Sequence, residues 1–250
     1  NKLEHKNIPL ELALLPAIES TYNALSYSSQ QASGLWQFIP ATARKQGLKQ
    51  DFWYDARRDP IKSTDAAIEY LLYLYNRFDS DWLLTLAAYN GGEGTVRRSI
   101  RRNKKNGKSA DFWSLKLPKE TMSYVPRLLI LSRIIASPKK YNINLPILAD
   151  KPYFEVVPLT TQIDISKAAE IAGISIDEMV MLNPGYKLGV THPESPKNLL
   201  LPIGYKDNFL KSLEKIPQKE WSPIKIYIVK QGDTLSEIAA QYDISTKALM

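Results

Sequence analysis

Glu19 closes the apolar stretch LLPAIES (residues 14–20) and is followed at once by the turn-forming Thr-Tyr-Asn. A carboxylate so placed is either a solvated helix end or an acid kept in nonpolar surroundings. In the second case burial raises its pKa and lets it donate a proton near neutrality. Three further stretches put polar groups where apolar ones would serve packing: SGLWQF (33–38), AYNGG (88–92) and SYVP (123–126). Each falls at a helix end or turn, where side chains of separate elements can converge on a cleft. Taken singly, each has a plain structural role: Glu19 as a surface terminus, Gln37 satisfying backbone between Trp36 and Phe38, Tyr89 as a core aromatic, and Asn90 as a C-cap before two glycines.

The elements that must carry these groups are helical up to about residue 137. Asp59-Pro60 reads as an N-cap followed by proline in the first turn, and Ile61, Ile68, Leu71, Leu72 and Tyr75 then share a broad apolar face. PATARKQG (40–47) is a short helix between a proline start and a glycine stop. DWLLTLAAYNGG starts on a good N-cap, Asp81, and ends where left-handed backbone is easy. Residues 119–137 form a further apolar helix, bent or restarted near Pro126 and closed by Pro138.

Beyond Pro138 the composition shifts to a proline-spaced connector and then to the order strand, helix, helix, strand: YFEVVPL, DISKAAEIAG, SIDEMVMLNPG and NLLLPI. Ser175 with Glu178 reads as a capping box, as does Thr234 with Glu237. EIAGISIDEMV (170–180) and EIAAQYDISTKALM (237–250) share Glu-Ile-Ala followed by Ile-Ser, and a strand and a Gly-Asp turn in IYIVKQGDTLS precede the second copy. This internal repeat points to tandem small modules, the second lacking its closing strand and therefore poorly held. The expected fold class is α+β: an all-α domain (1–140), a linker (141–152), a βααβ module (153–205), a second linker (206–223) and the start of another module (224–250).

The 250 residues are 44% hydrophobic and 24% charged, an ordinary globular composition. No run approaches the roughly 20 apolar residues of a membrane span. The chain opens on Asn1, as a trimmed sequence would, with any targeting segment outside it. The absence of cysteine excludes disulfides and thiolate metal sites, and His5 and His192 lie too far apart to suggest a histidine metal cluster or a Ser-His-Asp triad. Much of the net charge of +7 comes from RRSIRRNKKNGK (97–108), with seven basic residues and no acid. Such a run could bind nucleic acid, but its Asn and Gly residues favour a solvated loop following a helix.

The order and spacing of the four polar stretches resemble the lysozyme-like catalytic domain of the lytic murein transglycosylases, over about residues 8–138. Glu19-Ser20 matches that family's Glu-Ser motif, GLWQ (34–37) its Gly-Leu-Met-Gln motif with Trp36 for the commoner Met, residues 88–90 its Ala-Tyr-Asn motif, and Tyr124 its late tyrosine. YIVKQGDTLSEIA resembles the opening of a LysM module, and residues 153–204 resemble a degenerate LysM without the Gly-Asp-Thr-Leu opening. The resemblance implies one acid, Glu19, cleaving the bond between N-acetylmuramic acid and N-acetylglucosamine without water. It further implies that Tyr89 hydrogen-bonds Glu19, that Ser20, Ser33, Gln37 and Asn90 bind sugar, and that Tyr124 lines the cleft. No metal or cofactor is implied. The implied partner is peptidoglycan, with no nucleic acid; the implied place is the periplasm of a Gram-negative cell, as a monomer with an outer-membrane anchor outside these residues. The rival on the same fold is a goose-type lysozyme, which needs a second acid such as Asp55, Asp59 or Glu93. The rival of a different class is a noncatalytic peptidoglycan-binding protein.

Overall fold

A computed structural model describes residues 2–222, 227, 229–242 and 246. After two short 3-10 helices the first region contains α1 (Leu15–Ser20), α2 (Pro40–Lys45), α3 (Pro60–Arg77), α4 (Trp82–Gly91), α5 (Glu93–Lys105) and α6 (Lys119–Ala136). Their limits follow local chemistry. The Asp59 carboxylate accepts from the amides of Ile61 and Lys62, and that of Asp81 accepts from Leu84, each satisfying donors that a helix start leaves open. Gly92 ends α4 and starts α5 at φ +83, a conformation that costs glycine little. Helix α4 is the central element, packed on α3, α5 and α6. It is apolar nearly all round, with Leu84, Leu86, Ala87 and Ala88 buried, which is the pattern of a helix enclosed by others.

Two sequence expectations change here. The basic run is not a loop: α5 extends to Lys105, because Val96, Ser99 and Asn103 give it one buried stripe while the arginines and lysines take the solvated face. Asn103 donates to the carbonyls of Ser109 and Ser114, which ties down the following turn. Helix α6 runs through Pro126 without restarting.

The second region holds β1 (Phe154–Pro158), α7 (Ile165–Ala172), α8 (Ile176–Leu182), β2 (Asn198–Pro202) and α9 (Lys206–Leu213). Strands β1 and β2 are antiparallel, with Val156 opposite Leu200. Buried Asn183 joins α8 to β2 by exchanging hydrogen bonds with the backbone of Leu200. Ser175 caps α8, but Tyr153 takes the Glu178 carboxylate at 2.5 Å in place of the reciprocal capping-box bond. Residues 206–223, expected as a linker, instead carry α9, whose Phe209 and Leu213 pack with Trp221 into the module's core. The capping box at Thr234 and Glu237 forms and starts α10 (Leu235–Gln241). The strand expected within 226–229 and the second helix of the second copy lie largely outside the described residues. Among the described residues no helix is long and apolar enough to cross a membrane.

The module sits against the first region through residues 51–59. Asp55 N donates to Gly185 O at 2.9 Å, Lys187 N to Trp53 O at 2.9 Å, and the Asp51 carboxylate faces His192 Nε2 at 3.2 Å. His192 Nδ1 accepts from the amides of Glu194 and Ser195, so Nε2 is the nitrogen carrying hydrogen towards Asp51. Tyr54 and Tyr186 pack with ring centroids 5.3 Å apart. A Cβ on Gly185 would lie 2.6 Å from the Tyr54 ring, too close for any side chain without movement of that buried phenol. Gly185→Ala is therefore expected to destabilise the protein by about 1–3 kcal/mol, read as a lower urea midpoint.

Candidate active site

A cleft of about 490 Å³ opens between the end of α1, the 28–39 loop, the junction of α4 with α5, and α6. Glu19 reaches it because α1 stops one residue later: Thr21 and Tyr22 both adopt left-handed backbone, at φ 53 and φ 58. That conformation is unfavourable for a β-branched or aromatic residue and persists only where the surroundings enforce it. Apolar Leu15 and Pro16 are buried in the core, which fixes the short helix and leaves Glu19 half-buried in the cleft wall.

Tyr124 on α6 donates its hydroxyl to Glu19 Oε1 at 2.5 Å. Burial raises the Glu19 pKa from 4.5 to about 7; the Tyr124 hydrogen bond opposes the rise and the nearby charge of Glu120 adds to it. Tyr89 is placed differently from expectation. Its hydroxyl donates to the Trp36 carbonyl at 2.9 Å, so its ring flanks the acid while its polar end secures the loop carrying Gln37. Burial pushes both phenols well above their ordinary pKa, with the Glu19 charge adding to it, and both remain neutral donors.

The loop itself is held by close backbone approach. Gly34 sits at φ +83, and a Cβ there would lie 1.9 Å from the Arg57 carbonyl oxygen. The Arg57 guanidinium pairs with Asp55 at 2.7 Å and donates to the carbonyls of Gln31 and Phe38. Trp36 is buried and donates its indole N–H to Thr64 at 2.9 Å. Gln37, at φ 48, turns its amide onto the Gly34 carbonyl at 2.8 Å and borders the cleft. Asn90 accepts from the Thr121 hydroxyl at 2.8 Å, and Gly91 allows that contact, since a Cβ would lie 2.6 Å from the same hydroxyl.

Glu19, Gln37, Tyr89, Asn90 and Tyr124 thus line one cleft. Ser20 and Ser33 do not. The Ser20 hydroxyl is buried and donates to the Leu35 carbonyl at 2.9 Å; Ser33 is fully buried and accepts from Arg58 Nε at 3.2 Å. Both shape the loop from behind. None of the three carboxylates weighed as a second acid reaches the cleft. Asp55 is paired with Arg57, Asp59 caps α3, and Glu93 is held by Arg77 and Arg97. The second carboxylate is one that the sequence reading missed: Glu120, one helical turn before Tyr124, with Arg127 three residues after it. The spacing 120, 124, 127 on one helix face was the available signal.

Comparison with known proteins gives the family. Residues 2–112 match the model of the transglycosylase SLT domain, residues 153–218 that of the LysM-like domain of lytic transglycosylase MltD, and residues 227–250 that of the LysM domain. The chain is 40% identical to membrane-bound lytic murein transglycosylase D of Escherichia coli over 99% of its own length and 57% of that protein's. It is 40% identical to a putative tributyltin chloride resistance protein of an Alteromonas species, over 63% of this chain and 74% of that one. The crystal structure of the 70 kDa soluble lytic transglycosylase of Escherichia coli overlaps with a TM-score of 0.38 at 28% identity, covering 49% of this chain and 21% of that one. The chain belongs to the lytic murein transglycosylase family. It spans a little over half the length of the membrane-bound relative.

The raised pKa of Glu19 has a stability consequence. Between about pH 4.5 and 7 the folded state keeps a proton that the unfolded chain has released, so this contribution is complete below pH 4.5 and lost as pH rises through 7. Glu19→Gln, neutral at every pH, should be the more stable protein at pH 8, by up to about 3 kcal/mol, and nearly equal to the parent at pH 4. Urea unfolding at the two pH values measures the difference.

Proposed function

We propose that the cleft cleaves the β-1,4 bond between N-acetylmuramic acid and N-acetylglucosamine without water, with Glu19 as acid and then base. The observation that carries this reading is a half-buried carboxyl whose pKa lies at about 7, held by a neutral phenol. Such a group is protonated often enough to donate and basic enough to recover the proton. The proton of Glu19 passes to the glycosidic oxygen as its bond to the anomeric carbon breaks. The muramoyl 6-hydroxyl oxygen attacks that carbon, its proton returns to the Glu19 carboxylate, and a 1,6-anhydro ring closes. The nucleophile belongs to the substrate, so proximity supplies part of the acceleration and no second protein carboxylate is required.

In this reading Tyr124 fixes the carboxyl rotamer, Tyr89 shields it, and Gln37 and Asn90 bind sugar amide or hydroxyl groups. Ser20 and Ser33 act only through the loop. Residues 1–140 serve as the catalytic part, and residues 153–221, with α9 in the same core, and 224–250 as LysM-type modules on the same peptidoglycan strands. A monomer in the periplasm, tethered at the outer membrane, suits that substrate. Glu120 gives the hydrolytic alternative its one foothold, as a carboxylate in the cleft that could activate water.

Mass spectrometry of fragments released from purified sacculi separates the two readings. Products one water lighter than the hydrolytic ones, with anhydro ends, are expected; reducing ends would overturn the proposal in favour of Glu120-assisted hydrolysis. Glu19→Gln should lower the rate at least about 100-fold with sacculus binding retained. The rate of the parent protein should fall as pH rises past about 7, where Glu19 loses the proton it must donate.

A further inference from the structure

The outer face of α5 takes no part in the cleft. Helix α5 packs on α4, and its buried stripe is Val96, Ser99 and Asn103. At about 100° per residue, Arg97, Arg98, Arg101, Lys104 and Lys105 fall within a sector of about 120° on the opposite side, spread over about 12 Å of helix. All five are exposed, with Arg102 at the edge of the sector and Lys108 in the turn that follows. Asn103 fastens that turn to the end of α5, and the turn also carries Trp113, 58% exposed.

These charges are largely uncompensated within the chain. Between Glu93 and Asp111 the sequence holds no acid. Glu93 is shared by Arg77 and Arg97, and Asp111 accepts from the Ser109 and Ser114 hydroxyls. Arg98 donates to Thr95 Oγ1 at 3.2 Å, while Arg101, Lys104 and Lys105 have no carboxylate partner among the described residues. Arg97, Arg101 and Lys105 follow one another at one-turn spacing, where like charges repel and destabilise a helix. The cluster therefore costs stability until anions from outside the chain meet it.

The shape of the face selects among anionic partners. It is one convex helix surface without a groove, and it presents its cations together to whatever lies flat against it. The stem peptides of murein carry ammonium groups beside their carboxylates and offer them at intervals along a strand, so few would meet this face at once. Nucleic-acid bases are read by stacking rings or by amide side chains set among the cations, and this sector holds neither. An anionic bilayer offers phosphates across a whole plane, and a basic helix face suits it. An exposed indole beside the cations fits the same headgroup layer.

We propose that the outer face of α5 is a docking surface for an anionic phospholipid bilayer, with Arg101, Lys104 and Lys105 at its centre. The contact is made by the folded helix itself and is independent of the chemistry assigned to the cleft.

The test is co-sedimentation of the 250-residue chain with vesicles of phosphatidylcholine alone or of phosphatidylcholine with phosphatidylglycerol. The parent should bind the phosphatidylglycerol vesicles, release them as salt is raised, and ignore the neutral ones. Each cation near such a surface contributes about fivefold, so the variant Arg101→Gln/Lys104→Gln/Lys105→Gln should bind about 100-fold more weakly. Its binding to sacculi should be unchanged. Lys139→Gln/Lys140→Gln/Lys151→Gln, which removes the same charge from exposed positions elsewhere, should bind the vesicles nearly as the parent does. No binding by the parent, or an equal loss in the two variants, would overturn the proposal. A comparable loss on sacculi would give the face to murein instead, and binding of random-sequence duplex DNA at salt that releases the vesicles would give it to nucleic acid. Matching urea midpoints for parent and variants confirm that the fold is intact.

Discussion

A carboxyl group cannot be taken out of water without either losing its charge or gaining a partner, and the helical region is arranged around that constraint at Glu19. The partner, Tyr124, is 105 residues away in the chain, so α1 and α6 must be brought edge to edge for one 2.5 Å contact. Helix α4, apolar nearly all round, makes this possible by packing against α6 while presenting Tyr89 and Asn90 at its cleft end. The 33–38 loop closes the arrangement, fixed by Arg57 from behind, by Ser20 from below and by the Tyr89 hydroxyl from within.

Strain gathers at the same place. Thr21, Tyr22 and Gln37 all hold positive φ near the acid, and each such residue costs of order 1–3 kcal/mol. Gly34 avoids that cost but can be replaced by nothing larger against the Arg57 carbonyl. A fold optimised for stability alone would have neither these turns nor an acid with a pKa near 7. Their coexistence in one cleft fits a site where stability is given up for chemistry.

Features that depend on neighbours in the chain were legible in the sequence. Asp59, Asp81 and Thr234 cap the helices they were expected to cap, and Gly173 ends α7 in a left-handed conformation. The polar stretches that converge were also visible as anomalies against packing. The direction of each side chain was not. Tyr124 is buried and Tyr89 partly buried near Glu19, and only the tertiary placement of α6 decides which donates to it. Ser20 adjoins Glu19 in sequence, yet a helix turns successive side chains about 100° apart, which sends its hydroxyl to the Leu35 carbonyl instead of the cleft. Glu120 lies in the first turn of α6, and the spacing 120, 124, 127 marks a shared helix face without reporting what that face meets. Helix α9 was hidden for a similar reason: Phe209 and Leu213 are too sparse to stand out, and they become a core stripe only beside α7.

Tyr186 packs against both hydrophobic cores, that of the helical region and that of the βααβ module. A side chain shared in this way links the two as thermodynamic partners. Opening the module would uncover Tyr54 and orphan the backbone groups of Trp53 and Asp55, so local unfolding on one side raises the free energy of the other. Residues 51–55 thereby become a point of cooperativity instead of a tether.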